Sequence, residues 1–511
     1  NLKKLFKGKR VLSLILAILM VAPMAINFVP QGLNEAKAEG AESTYVPIAV
    51  GKTLGECFPG NGDGGEGHIF ARYVYETVLN KGTSAAINTI TAYQLTAEDI
   101  TKIEAATKFE VRDNKNLKDL TGIQNFKALT DLNCGGTGIT SLDVSKNTAL
   151  KTLWCYYTPI TSLDLSKNTA LTTLSCYNTQ ISSLDVSKNT ALTTLWCYNT
   201  PITSLDVSKN TALKTLDCSG TKITSLDVSK NTALTTLKCY STKITSLDVS
   251  KNTKLKELYC NDTKIDTINL SNNNALTTLK LSNTNIGDSS NLNLSAKENL
   301  VTLYCNNTNI GALDVSKNTN LATLDCSNTS ISSLNLNNNT KLKYIGCSNT
   351  NITSLDVSKT ALTEIHCDGA KLRSLNATGK TLTTENSKWD NQKPVLNCTN
   401  TADGKYKITD LPADDKVSDL KINGKAVNYD KSGSVISEEL PTSVTYNYAT
   451  GGTQKSGAAL VLAVNMQTSL SSIAVKTKPT KMTYIEGNSF NPAGLVLAVT
   501  CDNGTTGDII Y

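Results

Sequence analysis

The chain has 511 residues, too many for one ordinary domain, so three or four units are expected. Fifty Lys and Arg against 44 Asp and Glu leave a net charge of +6, with the lysines spread evenly rather than clustered, which excludes the basic footprint of a nucleic-acid binder. His68 and His366 are the only histidines and lie far apart, so acid–base catalysis has few candidates.

Residues 1–38 read as a secretory signal peptide. Lys3, Lys4, Lys7, Lys9 and Arg10 precede an apolar run over 11–26, and Ala36-Lys37-Ala38 offers a small-residue cleavage site, so the mature chain is expected to begin near Glu39. The run is short for a membrane span and Pro23 interrupts it, and no later segment is long and apolar enough to cross a bilayer. The basic leader resembles those of Gram-positive bacteria, which implies secretion or display at the cell surface. The chain starts with Asn and stops inside a strand-like pattern, the reading of a fragment of a larger gene product.

Residues 39–110 read as an N-terminal cap region with two amphipathic helical stretches, 68–79 and 96–106. Thr96 is placed to cap the second, with Glu98 and Asp99 in its first turn. The glycine-rich segment 60–67 is followed by no Gly-Lys-Ser and reads as a flexible turn rather than a phosphate or calcium loop.

From residue 111 to 390 the chain is an array of about twelve repeats. Cysteine returns every 21 residues at Cys134, Cys155, Cys176, Cys197, Cys218, Cys239 and Cys260, and again at Cys305, Cys326 and Cys347 after an irregular repeat with an insertion at 287–291. A fixed register at this period makes each unit one coil of a solenoid, stacked on the next. Within a coil the same template occurs twice: Leu150, Leu153, Cys155 and Thr158, then Ile160, Leu163, Leu165 and Asn168. The spacing predicts a short parallel strand around 153–155 and a second extended run around 163–165, with no room for a helix. The cysteines point inward as small apolar plugs, in register at about the 4.8 Å strand spacing and with parallel Cβ vectors, which is poor disulfide geometry. Buried free thiols are expected, and Leu281 in the cysteine place of one repeat suits that role. The inward columns Thr158, Thr179, Thr200 and Asn168, Asn189, Asn210 are expected to satisfy the backbone at the two bends. Cys57, Cys398 and Cys501 lie outside the ladder, and nothing in the sequence pairs them.

These motifs resemble the leucine-rich-repeat family, in its short bacterial class with nested 21-residue units and Cys in the second strand place, internalin-like in architecture. The resemblance covers about residues 117–385. It implies a right-handed solenoid whose parallel sheet lines one face, with ligand binding on that sheet and its adjoining loops. The departure is Thr where the family usually carries Asn in the first half. After Trp389 short alternating runs at 405–408, 417–422, 444–448 and 459–464 predict an all-β unit over 391–468 that closes the C-terminal end. Residues 469–511 resemble part of a bacterial immunoglobulin-like domain, in the Ile-x-Val strand, the Pro-Thr-Lys-x-x-Tyr segment, the Gly-Leu-x-Leu strand and the Asp-x-Gly hairpin. In that family such modules serve as stalks. The expected fold is therefore a parallel-β solenoid with little helix, a small helical N-terminal cap and C-terminal all-β units.

No Ser-His-Asp, HExxH or CxxC constellation is present, and no catalytic residue, metal site or cofactor is expected. His366 flanks the inward Cys367 and reads as a solvated surface histidine. Asp164, Asp185, Asp206, Asp227, Asp248, Asp314 and Asp356 form an outward carboxylate column, followed three residues on by Lys167, Lys188, Lys209, Lys230, Lys251, Lys317 and Lys359, which reads as a charge lattice rather than a calcium site. The outward places beside the cysteines concentrate aromatics: Trp154, Tyr156, Tyr157, Tyr177, Trp196, Tyr198, Tyr240 and Tyr259, with Tyr304 further on. Stacked coils are expected to merge them into one contiguous patch, either a ligand-binding face with Trp154, Tyr156, Tyr177, Trp196, Tyr198, Tyr240 and Tyr259 as its site or a ladder that merely stabilises neighbouring strands. The leading expectation is a monomeric, exported, adhesin-like protein that binds a protein or glycan on a host or microbial surface. The alternatives are the targeting and substrate-binding region of a larger exported enzyme, or a structural spacer.

Overall fold

The structure, a computed structural model, describes residues 45–59, 68–287, 292–383, 387–389, 392, 394, 398–441, 443–454, 459–467, 470–477, 496–501 and 506–510. The signal peptide, the turn at 60–67 and most of the insertion at 287–291 lie outside the described residues.

Four short helices lie among the described residues: α1 (Leu54–Cys57), α2 (Ile69–Tyr73), α3 (Ile87–Thr91) and α4 (Ala97–Ala105). A π-helical turn, Val74–Val78, continues α2, so the first amphipathic stretch is wound in two geometries. Thr96 caps α4 as its position predicts: its hydroxyl accepts the Asp99 N–H, and the Asp99 carboxylate accepts the Thr96 N–H in return. Asp99 is buried, so its charge must be matched. Lys81 Nζ lies 3.1 Å from it and the Tyr93 hydroxyl donates to it at 2.8 Å. Burial pushes this carboxyl up, but the bonds from Thr96, Tyr93 and Lys81 outweigh it and hold the group at about 2. Phe58, Phe70, Phe109 and Phe126 interlock beneath these helices with ring centroids 5.1–6.4 Å apart, joining the cap to the first coil.

The solenoid is built on three-residue strands: β1 (Lys108–Glu110), β2 (Asp131–Asn133), β3 (Thr152–Trp154), β4 (Thr173–Ser175), β5 (Thr194–Trp196), β6 (Thr215–Asp217) and β7 (Thr236–Lys238). They continue with β8 (Glu257–Tyr259), β9 (Thr278–Lys280), β10 (Thr302–Tyr304), β11 (Thr323–Asp325), β12 (Tyr344–Gly346), β13 (Ser354–Asp356) and β14 (Glu364–His366). All but β13 join one parallel sheet of thirteen strands in sequence order. β1 pairs with β2 from Lys108 to Glu110, so the sheet begins three residues ahead of the repeat boundary drawn from the cysteine period.

One coil shows how the sequence specifies this. Leu171, Leu174, Cys176, Ile181, Leu184 and Val186 are buried and fill the interior of the coil. At the first bend Asn178 adopts a left-handed φ of 53°, which Asn tolerates better than most side chains, and the buried Thr179 hydroxyl donates to the Cys176 carbonyl at 2.8 Å. At the second bend Asn189 is fully buried, and its Nδ2 donates to the Leu165 and Asn168 carbonyls of the preceding coil at 3.1 and 2.9 Å. The same pair of bonds recurs from Asn147 to Asn273 and at Asn318 and Asn339, tying each coil to its predecessor. Lys297 stands in that column in the irregular repeat, buried, with its Nζ 2.9 Å from Asn274 Oδ1.

The second extended run forms little regular sheet. Among the described residues it makes a ladder only where β13 pairs with β15 (Ser374–Asn376), and a single bridge at Leu247 and Ile268. Just past the run the chain turns: Ser166 N–H donates to Asp164 Oδ1 and Asn168 N–H to the Leu165 carbonyl, and the link between coils there is carried by the Asn189 side chain on that same carbonyl rather than by a strand ladder.

The far end is closed by β16 (Thr381–Leu382), β17 (Cys398–Asn400), β18 (Tyr406–Ile408), β19 (Val417–Ile422), β20 (Lys425–Ala426), β21 (Val435–Ser437), β22 (Ser443–Gln454) and β23 (Ala459–Gln467). β22 pairs in parallel with β16, the Thr450 carbonyl accepts Ala377 N–H at 2.8 Å, and the Tyr446 hydroxyl donates to the Arg373 carbonyl at 3.0 Å. The open edge of the last coil is thereby covered. β24 (Leu470–Thr477), β25 (Val496–Cys501) and β26 (Thr506–Ile510) form an antiparallel sheet. The Pro-Thr-Lys-x-x-Tyr segment and the tip of the Asp-x-Gly hairpin lie outside the described residues.

Candidate ligand-binding face

Alternation along each strand puts Leu153 and Cys155 inside and Thr152, Trp154 and Tyr156 outside, and the coil spacing turns each outward place into a column. In one column Trp154, Ser175 and Trp196 are register partners on β3, β4 and β5. In the next, Tyr156, Tyr177 and Tyr198 stack with centroids 5.0 and 4.3 Å apart and planes within 8°. A Cβ at Gly135 would meet the Tyr156 ring at 2.4 Å, so the bare backbone of the preceding coil seats the first ring of the stack. Burial in the stack pushes the Tyr177 and Tyr198 phenols up.

Tyr157 adds an edge-on ring against Tyr156 and Tyr177, at 6.2 and 5.4 Å. It sits at φ 52°, in the bend place that Gly136, Asn178, Asn199 and Gly220 fill in neighbouring coils. A bulky side chain in that conformation costs about 1–2 kcal/mol, and the ring contacts return about 0.5–1.5 kcal/mol each. The ring is nonetheless 54% exposed, and Trp154 is 37% exposed.

The expectation of one contiguous patch requires correction. The coil of β6 carries Asp217 and Ser219 in the two columns, both buried, with Ser219 N–H donating to Asp217. Only adjacent coils touch at the strand spacing, so a coil without rings divides the aromatics. Trp154, Tyr156, Tyr177, Trp196 and Tyr198, with Tyr157, form one group. Tyr259 belongs to another, in which Lys238 and Lys280 lie 5.4 and 5.3 Å from its centroid and Lys280 also lies 4.9 Å from Tyr304. Tyr240, in the same coil as Lys238, is half-buried and makes no ring contact among the described residues. The two lysines were legible in the sequence, since 238, 259 and 280 are spaced by the repeat itself.

With this geometry in view, a family model described as Leucine Rich repeats (2 copies) matches residues 190–231. The functional domain of InlJ from Listeria monocytogenes, described as including a cysteine ladder, aligns with 82% of this chain and 99% of its own at 27% identity and a TM-score of 0.53. The internalin InlF of the same organism aligns with 61% of this chain and 93% of its own at 23% identity and a TM-score of 0.51, a likeness of fold. No curated protein matches the chain. The chain has an internalin-like leucine-rich-repeat architecture.

Within this leucine-rich-repeat solenoid the eleven ladder cysteines, from Cys134 to Cys367, are all fully buried and unbridged. Burial pushes the Cys134 thiol up to about 12, well away from the reactive thiolate range. Cys57 and Cys398 are buried, and the Cys501 side chain lies outside the described residues.

The charge lattice has a different basis from the one expected. Asp185 accepts the Ser187 N–H at 2.8 Å, and that bond, then the Ser187 hydroxyl, holds its carboxyl below the usual range; Lys188 adds less than either. Asn269, Asn293 and Asn335 take the same place in three repeats and accept the same bond. The column is a row of Asx turns. His366 is also placed differently: it is partly buried, with Nε2 3.0 Å from Glu364 and its ring 5.5 Å from Tyr344, rather than solvated. Among the described residues no group of three or more His, Cys, Asp or Glu is placed to hold a metal ion. No helix among them is long and apolar enough to cross a membrane.

Proposed function

We propose that this chain is an exported or cell-wall-associated, adhesin-like binding protein that engages a protein or glycan ligand through the aromatic group on its parallel sheet. The observation that carries this reading is six rings gathered on the outward side of three consecutive coils whose interior is already filled by Leu and Cys. Aromatics held rigid by neighbours, partly exposed and not needed by the core are the residues that dominate binding energies at interfaces. Tyr157 strengthens the reading, because its strained bend is retained where Asn or Gly serves in other coils. The leader at residues 1–38 supports export, and the chain acts by binding, as a monomer, without catalysis or a cofactor. The test is retention on an array of matrix proteins and glycans, comparing the native chain with a variant carrying Ala at Trp154, Tyr177, Trp196 and Tyr198. Loss of a retained ligand is expected from a variant that still unfolds cooperatively, at a midpoint lowered by the missing ring contacts, and undiminished retention refutes the assignment.

A further inference from the structure

β1 is the first strand of the thirteen-stranded sheet and pairs with β2 alone. Asp131 N–H donates to the Thr107 carbonyl at 3.0 Å and Val111 N–H to the Asn133 carbonyl at 2.8 Å, so residues 107, 109 and 111 turn their main-chain groups toward β2. Alternation along the strand turns the N–H and C=O groups of Lys108 and Glu110 the other way, where they have no hydrogen-bond partner among the described residues. The opposite edge of the sheet is treated differently. There Cys367 N–H donates to the Lys388 carbonyl at 2.7 Å and Lys388 N–H to the Ile365 carbonyl at 2.8 Å, which covers β14. Beside β1 lies an open cleft of about 530 Å³, lined by β1 itself, by Thr77 and Val78 of the π-helical turn, and by Lys102, Ala105 and Ala106 at the end of α4.

We propose that this edge is a second binding site, separate from the aromatic group, which takes an extended acidic segment of a partner protein as one more strand of the sheet. The occupant follows from what the edge lacks. An extended main chain offers donors and acceptors alternating at the strand repeat, and in the antiparallel sense two of its residues exchange both bonds, one with Lys108 and one with Glu110. The residue between those two points the same way as Phe109, so an apolar side chain suits it, and Val78, Ala105 and Ala106 give the cleft an apolar wall. A three-residue edge carrying two charges resists indiscriminate pairing, and the same charges select the partner. Glu110 is already bonded to Arg112 at 2.7 Å and Lys102 to Glu98 at 2.7 Å. Lys108 is exposed and has no carboxylate partner among the described residues, so an acidic side chain belongs opposite it.

The test is isothermal titration of the full chain with the end-blocked peptide Thr-Val-Asp-Val-Thr, with a copy carrying Lys for Asp, and with a copy N-methylated at Asp and both Thr. Saturable binding of the acidic peptide at or below about 1 mM is expected. N-methylation should weaken it at least about tenfold, since main-chain bonds worth roughly fivefold each are lost. The Lys peptide should bind about threefold to fivefold less tightly, the worth of one exposed ion pair, and Lys108→Glu should reverse that order. Ala105→Trp, at an exposed place on the last turn of α4, should fill the cleft and abolish binding; if that variant fails to fold, the N-methylated peptide decides. No binding of the acidic peptide at millimolar concentration overturns the proposal, as does undiminished affinity of the N-methylated copy or an unchanged order of the two peptides in Lys108→Glu. A chain that binds no peptide but sediments as a dimer, dissociated by Ala105→Trp, assigns the edge to a second copy instead.

Discussion

Replacing Asn189 by Ala probes how the coils are fastened. Its Nδ2 makes two buried bonds to the preceding coil, at 3.1 and 2.9 Å. Each accepting carbonyl keeps one backbone donor, Asn168 N–H on Leu165 and Leu171 N–H on Asn168, so neither is fully orphaned. The loss is therefore two net hydrogen bonds of about 0.5–1.5 kcal/mol each rather than two bare carbonyls. The Asn189 Oδ1 has no partner, so its removal recovers part of this, and a net cost of about 1–2 kcal/mol is expected. Asn189→Asp keeps the shape but removes the donor and buries a carboxylate against carbonyl oxygens, which should cost several kcal/mol more. Urea unfolding followed by far-ultraviolet circular dichroism measures both. A native midpoint in the Asp variant would refute the donor role, and equal losses in the two variants would show that packing rather than hydrogen bonding is at stake.

Cys176→Ser should cost about 1–3 kcal/mol by burying a hydroxyl in an apolar place, measured by the same unfolding curve, whereas a redox role would show as sensitivity of the native protein to reductant. Asp185→Asn should change stability by less than about 0.5 kcal/mol and leave its salt dependence unaltered, because the Asx turn survives; a larger loss that grows at low salt would restore the ion lattice. Asp99 titrates at about 2 when folded against an ordinary 3.8, so its contribution of about 2 kcal/mol is complete above that ordinary value and fades as pH falls toward 2. Acid unfolding of Asp99→Asn should lack that part of the slope, and an identical slope contradicts it. Burial holds the Lys297 ammonium below its usual range, so at neutral pH the charged form opposes folding. Lys297→Met should raise the thermal midpoint, most at neutral pH and least at high pH where the native lysine is neutral; a lowered midpoint would show that its bond to Asn274 matters more.

The inward half of each coil was legible because a strict period fixes which residues face in. Leu153, Cys155, Thr158 and Asn168 could take no other side once one of them was placed, and all four are buried. The outward half was legible only as a list. Whether Tyr177 touches Tyr198 or Tyr240 stands alone depends on which coils are adjacent and on ring rotamers, which the period does not encode. The burial of Ser175 between Trp154 and Trp196 in register was invisible for the same reason, since a serine among tyrosines looks like variation until its neighbours are set beside it. The aspartates were misjudged because the lysine three residues on is conspicuous in sequence, while the serine N–H two residues on is the closer partner in space. The left-handed bend at Tyr157 gave no signal beyond its alignment with Asn and Gly in other coils.

Everything built on the outward columns requires that the cysteines face inward through an unbroken stack. Pulse alkylation of the native chain, with each cysteine read by mass spectrometry, tests this directly. Cys134, Cys155 and the rest of the ladder through Cys367 should stay unmodified in buffer and react completely in guanidinium chloride. Rapid native labelling of several consecutive ladder thiols, or a disulfide joining two of them, would contradict it.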